Sequence, residues 1–333
     1  MLRVILLWLA TVFLVGCVSS DIEADASKDY IAREVVQDFV EEMVDEGFDR
    51  AVLESAFSDA KYQQGIVDAI SRPAERTLTW ASYQDIFLTS RRAKLGQEFV
   101  QEHKETFQRA EQTYGVPVEI IAAIIGVETF YGRIKGKHRV IDSLSTLAFD
   151  YPPRAKFFRS ELKQFFYLVR EEKKSALEPV GSYAGAMGYG QFISSSYRNY
   201  AVDFDGDGIR DIWDNPIDAI GSVANYLSRH RWQAGEPIVA RANGNFDGSS
   251  EWFNESLKPS RTLKDLATFG VSTEFAPSEG GMVSPMRLMG KKGDEYWIGF
   301  NNFYVITRYN HSMLYAMAVF QLSEQIQSAL NDT

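Results

Sequence analysis

Residues 118–127 (VEIIAAIIGV) constrain this chain more than any other stretch, because only Glu119 interrupts their apolar character. A helix with no polar face must be buried on all sides, so other helices are required to surround it. Gly115, Val116 and Pro117 break the chain ahead of this run, and Pro117 suits its first turn. Glu119 lies near the positive end of the helix dipole. Glu128 follows the last apolar residue, which places one carboxyl at the C-terminal end of a buried helix. Burial and the negative dipole end both disfavour ionisation, so a raised pKa and a general-acid role near neutral pH are expected. The competing expectation is an ordinary acid that leans out to pair with Arg133, Lys135 or Arg139.

The string GSYAGAMGYGQF at residues 181–192 sets four glycines among hydroxyl, aromatic and amide groups. Glycines permit tight turns and close backbone approach, while Ser, Tyr and Gln hydrogen-bond sugar hydroxyls and acetamido groups. The spacing of Gly185, Gly188 and Gly190 does not make a dinucleotide fingerprint, and no G-K-[ST] follows. Ser182 stands second in its pentapeptide, where a nucleophile elbow needs it third.

DFDGDGIRDIWD at 203–214 fits the opening of an EF-hand loop. Asp203, Asp205 and Asp207 fall at positions 1, 3 and 5, Gly208 at 6, Ile209 at the backbone-carbonyl position 7, and Asp211 at 9. Position 12 is Asp214, one methylene shorter than the usual bidentate Glu, and Asp218 in the next helix is the alternative ligand. A Ca2+ ion held here reads as structural, since the loop joins the glycine-rich motif to the helix carrying Tyr226. The four histidines (His103, His138, His230 and His311) form no metal-binding spacing.

At the N-terminus, Arg3 precedes a short apolar run, residues 4–15, that is too short to span a bilayer comfortably. LVGC at 14–17 resembles the lipobox at which bacterial lipoproteins are cut and acylated on the new N-terminal Cys. The alternatives are cleavage elsewhere or an uncleaved anchor. Cys17 is the only cysteine, so there is no intramolecular disulfide and no zinc-thiolate site. Val18 is not the Asp that would favour inner-membrane retention, so lipid anchoring at the periplasmic face of the outer membrane is expected. The net charge is -10 with no long basic block, which argues against a nucleic-acid partner.

Helical periodicity is expected from residue 30, with Gly47 as a stop, then over 48–60, 63–71, 91–114, 118–127, 142–148, 153–171, 216–230 and 310–330. Residues 238–303 cluster Gly, Pro and Ser, and EYWIGF at 295–300 reads as strand, so a small β-containing insertion is expected there.

Four ordered strings, GVETFYG at 126–132, AGAMGYGQF at 184–192, AIGSVANY at 219–226 and NFYVITRYN at 302–310, resemble the membrane-bound lytic murein transglycosylase B family, from about residue 30 to residue 327. The resemblance implies a mainly α protein: a lysozyme-like α+β catalytic core with a helical N-terminal subdomain and a small β-containing insertion. The expected division is signal peptide 1–16, lipid-attached tether 17–29, helical subdomain 30–112, core 113–235 with its EF-hand-like loop 203–218, insertion 236–303, and C-terminal helix 304–333 returning to the core.

The resemblance also implies a substrate, peptidoglycan glycan strands, cut between N-acetylmuramic acid and N-acetylglucosamine to leave a 1,6-anhydromuramic end. By position it makes Glu128 the catalytic acid and gives Tyr83, Arg154, Ser182, Gln191, Tyr226, Tyr309, Asn310 and Tyr315 to sugar binding. It favours Asp218 over Asp214 at the ion. Phe130 departs from the family pattern, in which Arg followed by Trp is common. Near Glu128 the sequence offers only Asp142 as a second carboxyl, so one residue is expected to act as both acid and base. A hydrolysing muramidase and a catalytically silent, calcium-stabilised peptidoglycan-binding lipoprotein are the rival readings. No organic cofactor is expected, the membrane is met only through the N-terminal lipid, and a monomer is expected.

Overall fold

The computed structural model describes residues 29–72, 78–244, 246, 252–275 and 281–332. The expected signal segment, Cys17 and the tether as far as residue 28 lie outside the described residues. Asp29 makes an isolated antiparallel bridge to Lys61, and a 3-10 turn, Tyr30–Ala32, leads into the first helix.

Three short helices, α1 (Glu34–Asp45), α2 (Arg50–Asp59) and α3 (Gln64–Ser71), follow the expected apolar periodicity. Next come α4 (Trp80–Phe87), α5 (Ser90–Glu102), α6 (Lys104–Tyr114) and α7 (Val118–Thr129). Beyond the site loop lie α8 (Val140–Phe149), α9 (Ala155–Glu171), α10 (Ser194–Tyr200) and α11 (Pro216–Arg229). The last helices are α12 (Leu263–Thr268), α13 (Asn301–Tyr309) and α14 (Met313–Asn331). No helix among the described residues is long and apolar enough to cross a membrane.

Helix α7 is enclosed as its composition demands, with nine of its twelve residues buried beneath α5, α6, α11 and α14. Its four isoleucines, 120, 121, 124 and 125, are at most 1% exposed. Each fully buried isoleucine contributes roughly 1.5–3 kcal/mol. A single hydrogen bond contributes about 1 kcal/mol net, so packing and not polar contact fixes where this helix sits.

Several expectations change. The expected single helix 91–114 is two, broken at His103, whose φ of -113° and ψ of 31° are not helical. Helix α5 packs on α7 and α14 while α6 packs on α11 and α7, and the apolar stripe of one straight helix cannot face both sets. Helix also returns at Asn301, well before Asn310, and Asn310, His311 and Ser312 interrupt it. Helices α4, α10 and α12 had no expectation, although Thr79 with Ser82 and Thr262 with Asp265 form capping boxes at α4 and α12.

Two sheets complete the fold. Strands β1 (His138–Arg139) and β2 (Val180–Gly181) form an antiparallel pair beside α8. Strands β3 (Val239–Arg241), β4 (Arg261–Thr262), β5 (Met282–Gly290) and β6 (Gly293–Gly299) form an antiparallel sheet ordered β3-β6-β5-β4. Period-two alternation sends Met286, Leu288 and Trp297 toward the main core. Val283 and Ile298 face a second, smaller core with Ala240, Leu266, Val271 and Phe300.

The C-terminus of α7 is strained. Phe130 and Tyr131 both take left-handed backbone conformations, with φ of 53° and 60°, ahead of Gly132 at 78°. Such residues cost about 1–3 kcal/mol each and persist only where packing holds them. Here the Tyr131 ring is buried, and its hydroxyl donates to the Arg92 carbonyl at 2.9 Å. A Cβ on Gly126 would come within 2.5 Å of that hydroxyl. Gly126→Ala is therefore expected to reverse the usual gain from removing a helix-interior glycine and to destabilise the protein by roughly 1–3 kcal/mol. Urea unfolding measures the sign, and a stabilised variant would refute this account of the turn.

Candidate active site

The turn after α7 opens onto a cleft of about 540 Å³ lined by Glu128, residues 133–138, Ser182, Tyr183 and Gln191. Glu128 is half-buried on the last turn of α7. The Tyr315 hydroxyl donates to its Oε1 at 2.7 Å. Tyr315 belongs to the first turn of α14, where the Ser312 hydroxyl caps the helix by accepting from the Tyr315 N–H at 3.3 Å. Burial, and then the nearby Glu128 charge, push the Tyr315 phenol well above its ordinary pKa, so it stays a donor.

Behind this pair the aromatic rings interlock. The Tyr309 and Tyr315 rings stack at 6.4 Å, and Tyr226 lies 4.7 Å from Tyr309. The Tyr309 hydroxyl donates to the Gly190 carbonyl at 2.6 Å, tying the end of α13 to the glycine-rich segment. Asn310, half-buried, closes α13.

The glycine-rich segment is pinned from both sides. The Thr129 hydroxyl donates to the Tyr189 carbonyl at 2.8 Å, and the Tyr189 N–H donates to the Ile212 carbonyl at 3.0 Å. Gly188 has a φ of +70°, and its Cα faces the Ile212 backbone so closely that no Cβ would fit. Gln191 sits at a φ of 51°, and its Nε2 donates to the carbonyls of Gly188 at 3.0 Å and Lys135 at 3.3 Å. The Ser182 hydroxyl oxygen accepts from the N–H groups of Ala184 and Ala186 at 3.3 and 3.1 Å, and its proton remains available to donate.

Of the nine acid and sugar-site residues expected from sequence, three line the cleft itself. Glu128, Ser182 and Gln191 share the cleft, Tyr315 and Tyr309 back it, and Tyr226 lies one ring behind. Tyr83 is 1% exposed, packed on Phe87 at 4.6 Å, and lies near enough to Tyr315 to add to the rise of that phenol's pKa. Arg154 is exposed and stacks over Phe157 at 4.4 Å, in a separate depression with Pro152, Pro153 and Ser160. An apolar groove of about 620 Å³ beside α2 and α9 contains none of the expected site residues. Sequence reading missed Ile134, Gly136, Lys137, His138 and Tyr183 as cleft residues, and their only signal was closeness in sequence to Glu128 or Ser182.

Two of the three cations considered as partners for Glu128 are engaged elsewhere. Lys135 pairs with Asp214 at 3.0 Å, and Arg139 pairs with Asp59 and with Asp142. Asp142 is buried, and it accepts from Arg139 and from the Lys61 N–H at 2.9 Å. Among the described residues that line the cleft, Glu128 is the single carboxylate.

In the acidic loop, carboxylate oxygens of Asp203, Asp205 and Asp218 all lie within 4.8 Å of one another. Burial pushes the Asp218 carboxyl up to about 6, against the pull of N–H donors from Phe204 and Asp211, with the charges of Asp205 and Asp203 adding to the rise. Such a cluster suits a hard cation with oxygen ligands. Asp214 turns to Lys135, so Asp218 joins the cluster in its place. The Asp207 N–H donates to the carboxylates of Asp203 and Asp205 at 3.2 Å, while its own carboxylate accepts the Ile209 N–H at 2.8 Å, and the Ile209 side chain is exposed.

A family model described as the transglycosylase SLT domain matches residues 32–324. Membrane-bound lytic murein transglycosylase B of Escherichia coli (strain K12) is 42% identical over 303 residues, covering 88% of this chain and 82% of that protein. The structure of lytic transglycosylase SltB1 from Pseudomonas aeruginosa superposes with a TM-score of 0.87 at 50% identity, covering 91% of this chain and 100% of that one. Escherichia coli lytic transglycosylase Slt35 in complex with calcium superposes with a TM-score of 0.84 at 41% identity, covering 91% of this chain and 96% of that one. On this agreement of sequence, helical fold and cleft, the chain belongs to the transglycosylase SLT domain family.

Proposed function

We propose that the protein is a lytic transglycosylase that cleaves peptidoglycan between N-acetylmuramic acid and N-acetylglucosamine, leaving a 1,6-anhydromuramic end, with Glu128 as its acid and base. The observation that carries this reading is a single cleft carboxylate hydrogen-bonded to a buried phenol. Glycosidases with two catalytic carboxyls set them about 5–9.5 Å apart across the bond. With one carboxyl, the substrate supplies the nucleophile. Protonated Glu128 gives its proton to the glycosidic oxygen as that oxygen leaves C1 of muramic acid. The 2-acetamido group stabilises the developing cation, the C6 oxygen bonds to C1, and the Glu128 carboxylate takes the C6 hydroxyl proton. Tyr315 holds the carboxyl in place, while Ser182 and the amide oxygen of Gln191 face the sugars. In this reading residues 113–235 are the catalytic core.

Glu128→Gln is expected to fold normally and to lose at least about 10²–10⁴-fold in turnover. Mass analysis of muropeptides from the parent enzyme should find anhydro ends; reducing ends would identify a hydrolase, and no release at all a silent binder.

We further propose that Asp203, Asp205 and Asp218, with Asp207 and the Ile209 carbonyl, hold a structural Ca2+ in an EF-hand-like loop. The calcium in the Slt35 structure and the converging carboxylates of this chain support that reading. The ion's two positive charges would offset most of the negative charge of the trio. Calcium at 100 times its Kd should add about 2.7 kcal/mol of stability. Asp218→Asn should abolish the shift, and a melting curve indifferent to chelator would reject the site.

Cys17 is proposed as the acylated residue that anchors the protein at the outer membrane, in line with the membrane-bound relative. Cys17→Ser is expected to move the protein from the membrane to the soluble periplasmic fraction. Retention in the membrane pellet would favour an uncleaved anchor.

A further inference from the structure

Helix α5 begins against its own dipole. Arg91 and Arg92 occupy a first turn that holds no acid, at the end where free backbone N–H groups favour negative charge. Arg92 is half-buried, and its Nε and Nη1 are buried with no hydrogen-bond partner among the described residues. Burial pulls the guanidinium below its ordinary pKa. An apolar side chain of similar length would fill the same space without unmade donors or a desolvated charge, so stability does not account for Arg92.

What the guanidinium touches is the turn behind Glu128. Its Cζ lies 5.0 Å from the centre of the Phe130 ring and 4.9 Å from that of Phe87, and Arg91 adds a second cation 5.5 Å from Phe130. Such contacts strengthen where the cation is desolvated. From Arg92 two arms reach the acid pair. One runs through Phe130, left-handed and two residues after Glu128, while the Arg92 carbonyl accepts the Tyr131 hydroxyl at 2.9 Å. The other runs through Phe87, which packs on Tyr83 at 4.6 Å, and Tyr83 stands close enough to Tyr315 to act on that phenol. Tyr315 donates to Glu128, so the two arms close a ring around the acid.

We propose that Arg92 is a positioning residue for the catalytic acid: its guanidinium, clasped between Phe87 and Phe130, fixes the left-handed turn and so holds the Glu128 carboxyl against Tyr315. This inference rests on the reading of Glu128 as acid and base. Arg92 acts through Phe130 and does not itself touch the sugar. A left-handed Phe130 persists only while its side chain is held. Without the clasp the last turn of α7 loosens and the carboxyl leaves its aligned position, which costs turnover and not sugar affinity.

The experiment measures kcat, KM and Tm, with soluble glycan strands as substrate and anhydro ends as the product counted. Arg92→Met should lower kcat about tenfold at an unchanged KM. Its Tm should not fall, because the substitution removes unmade donors along with the charge. Arg92→Lys keeps a charge but loses the planar group that fits between two rings, so its kcat should lie between those of Arg92→Met and the parent. Phe130→Leu should lose a similar factor, and the double variant no more than either single one, since both break the same clasp. Independent effects would multiply to a loss of about 100-fold. That product, or a parental kcat in Arg92→Met, overturns the proposal. Should Arg92→Met fail to fold, Arg92→Lys decides: a reduced kcat at the parental KM supports the clasp, and a parental kcat refutes it. A parent that releases no anhydro ends refutes the transglycosylase reading instead, so the two failures are distinguishable.

Discussion

The enclosure of α7 on every side is the constraint on which the rest of the structure depends. A helix so apolar cannot shift without exposing isoleucines, so its last turn is a fixed platform, and Glu128 stands on it. The two preceding helices, α5 and α6, and two distant ones, α11 and α14, complete the enclosure, and α14 also delivers Tyr315 to the Glu128 carboxyl. Packing and site geometry are therefore consequences of the same helix contact.

From that platform a line of short polar contacts runs outward. Thr129, next to Glu128, holds the Tyr189 carbonyl, and the Tyr189 N–H holds the Ile212 carbonyl in the acidic loop. Lys135 returns from the cleft wall to Asp214 of the same loop. The three loops around the cleft thus brace one another through the region where Asp203, Asp205 and Asp218 converge. A cation there would stiffen the frame of the site without touching the reacting bond. The left-handed turn at Phe130 and Tyr131 makes this arrangement possible, because it reverses the chain directly after Glu128 and sends residues 133–138 along the cleft.

Sequence reading went far where the signal was local. The apolar run of α7, the glycine-rich string and the acidic loop each carried their identity in consecutive residues, and all three appear where expected. It failed where two elements compete for one face. The break at His103 follows from α5 and α6 packing on different helices, and no periodicity within 91–114 announces it. The same limit left the tertiary placement of the expected sugar contacts out of reach: Tyr83 behind Tyr315, Arg154 over Phe157 and Tyr315 at the Glu128 carboxyl carry no local mark that tells them apart.

The sequence by itself determined that a carboxyl would stand at the end of a buried helix and that an oxygen-rich loop would follow a glycine-rich one, because hydrophobic runs and ligand spacing are properties of neighbours. Only the tertiary structure decided that Tyr315, far along the chain, donates to that carboxyl, that Asp218 and not Asp214 closes the acidic cluster, and that Lys135 answers Asp214 instead of Glu128. Those choices turn on distances of a few ångströms between side chains that meet only after the helices have packed, and charge pairing at that range is set by position and not by residue type.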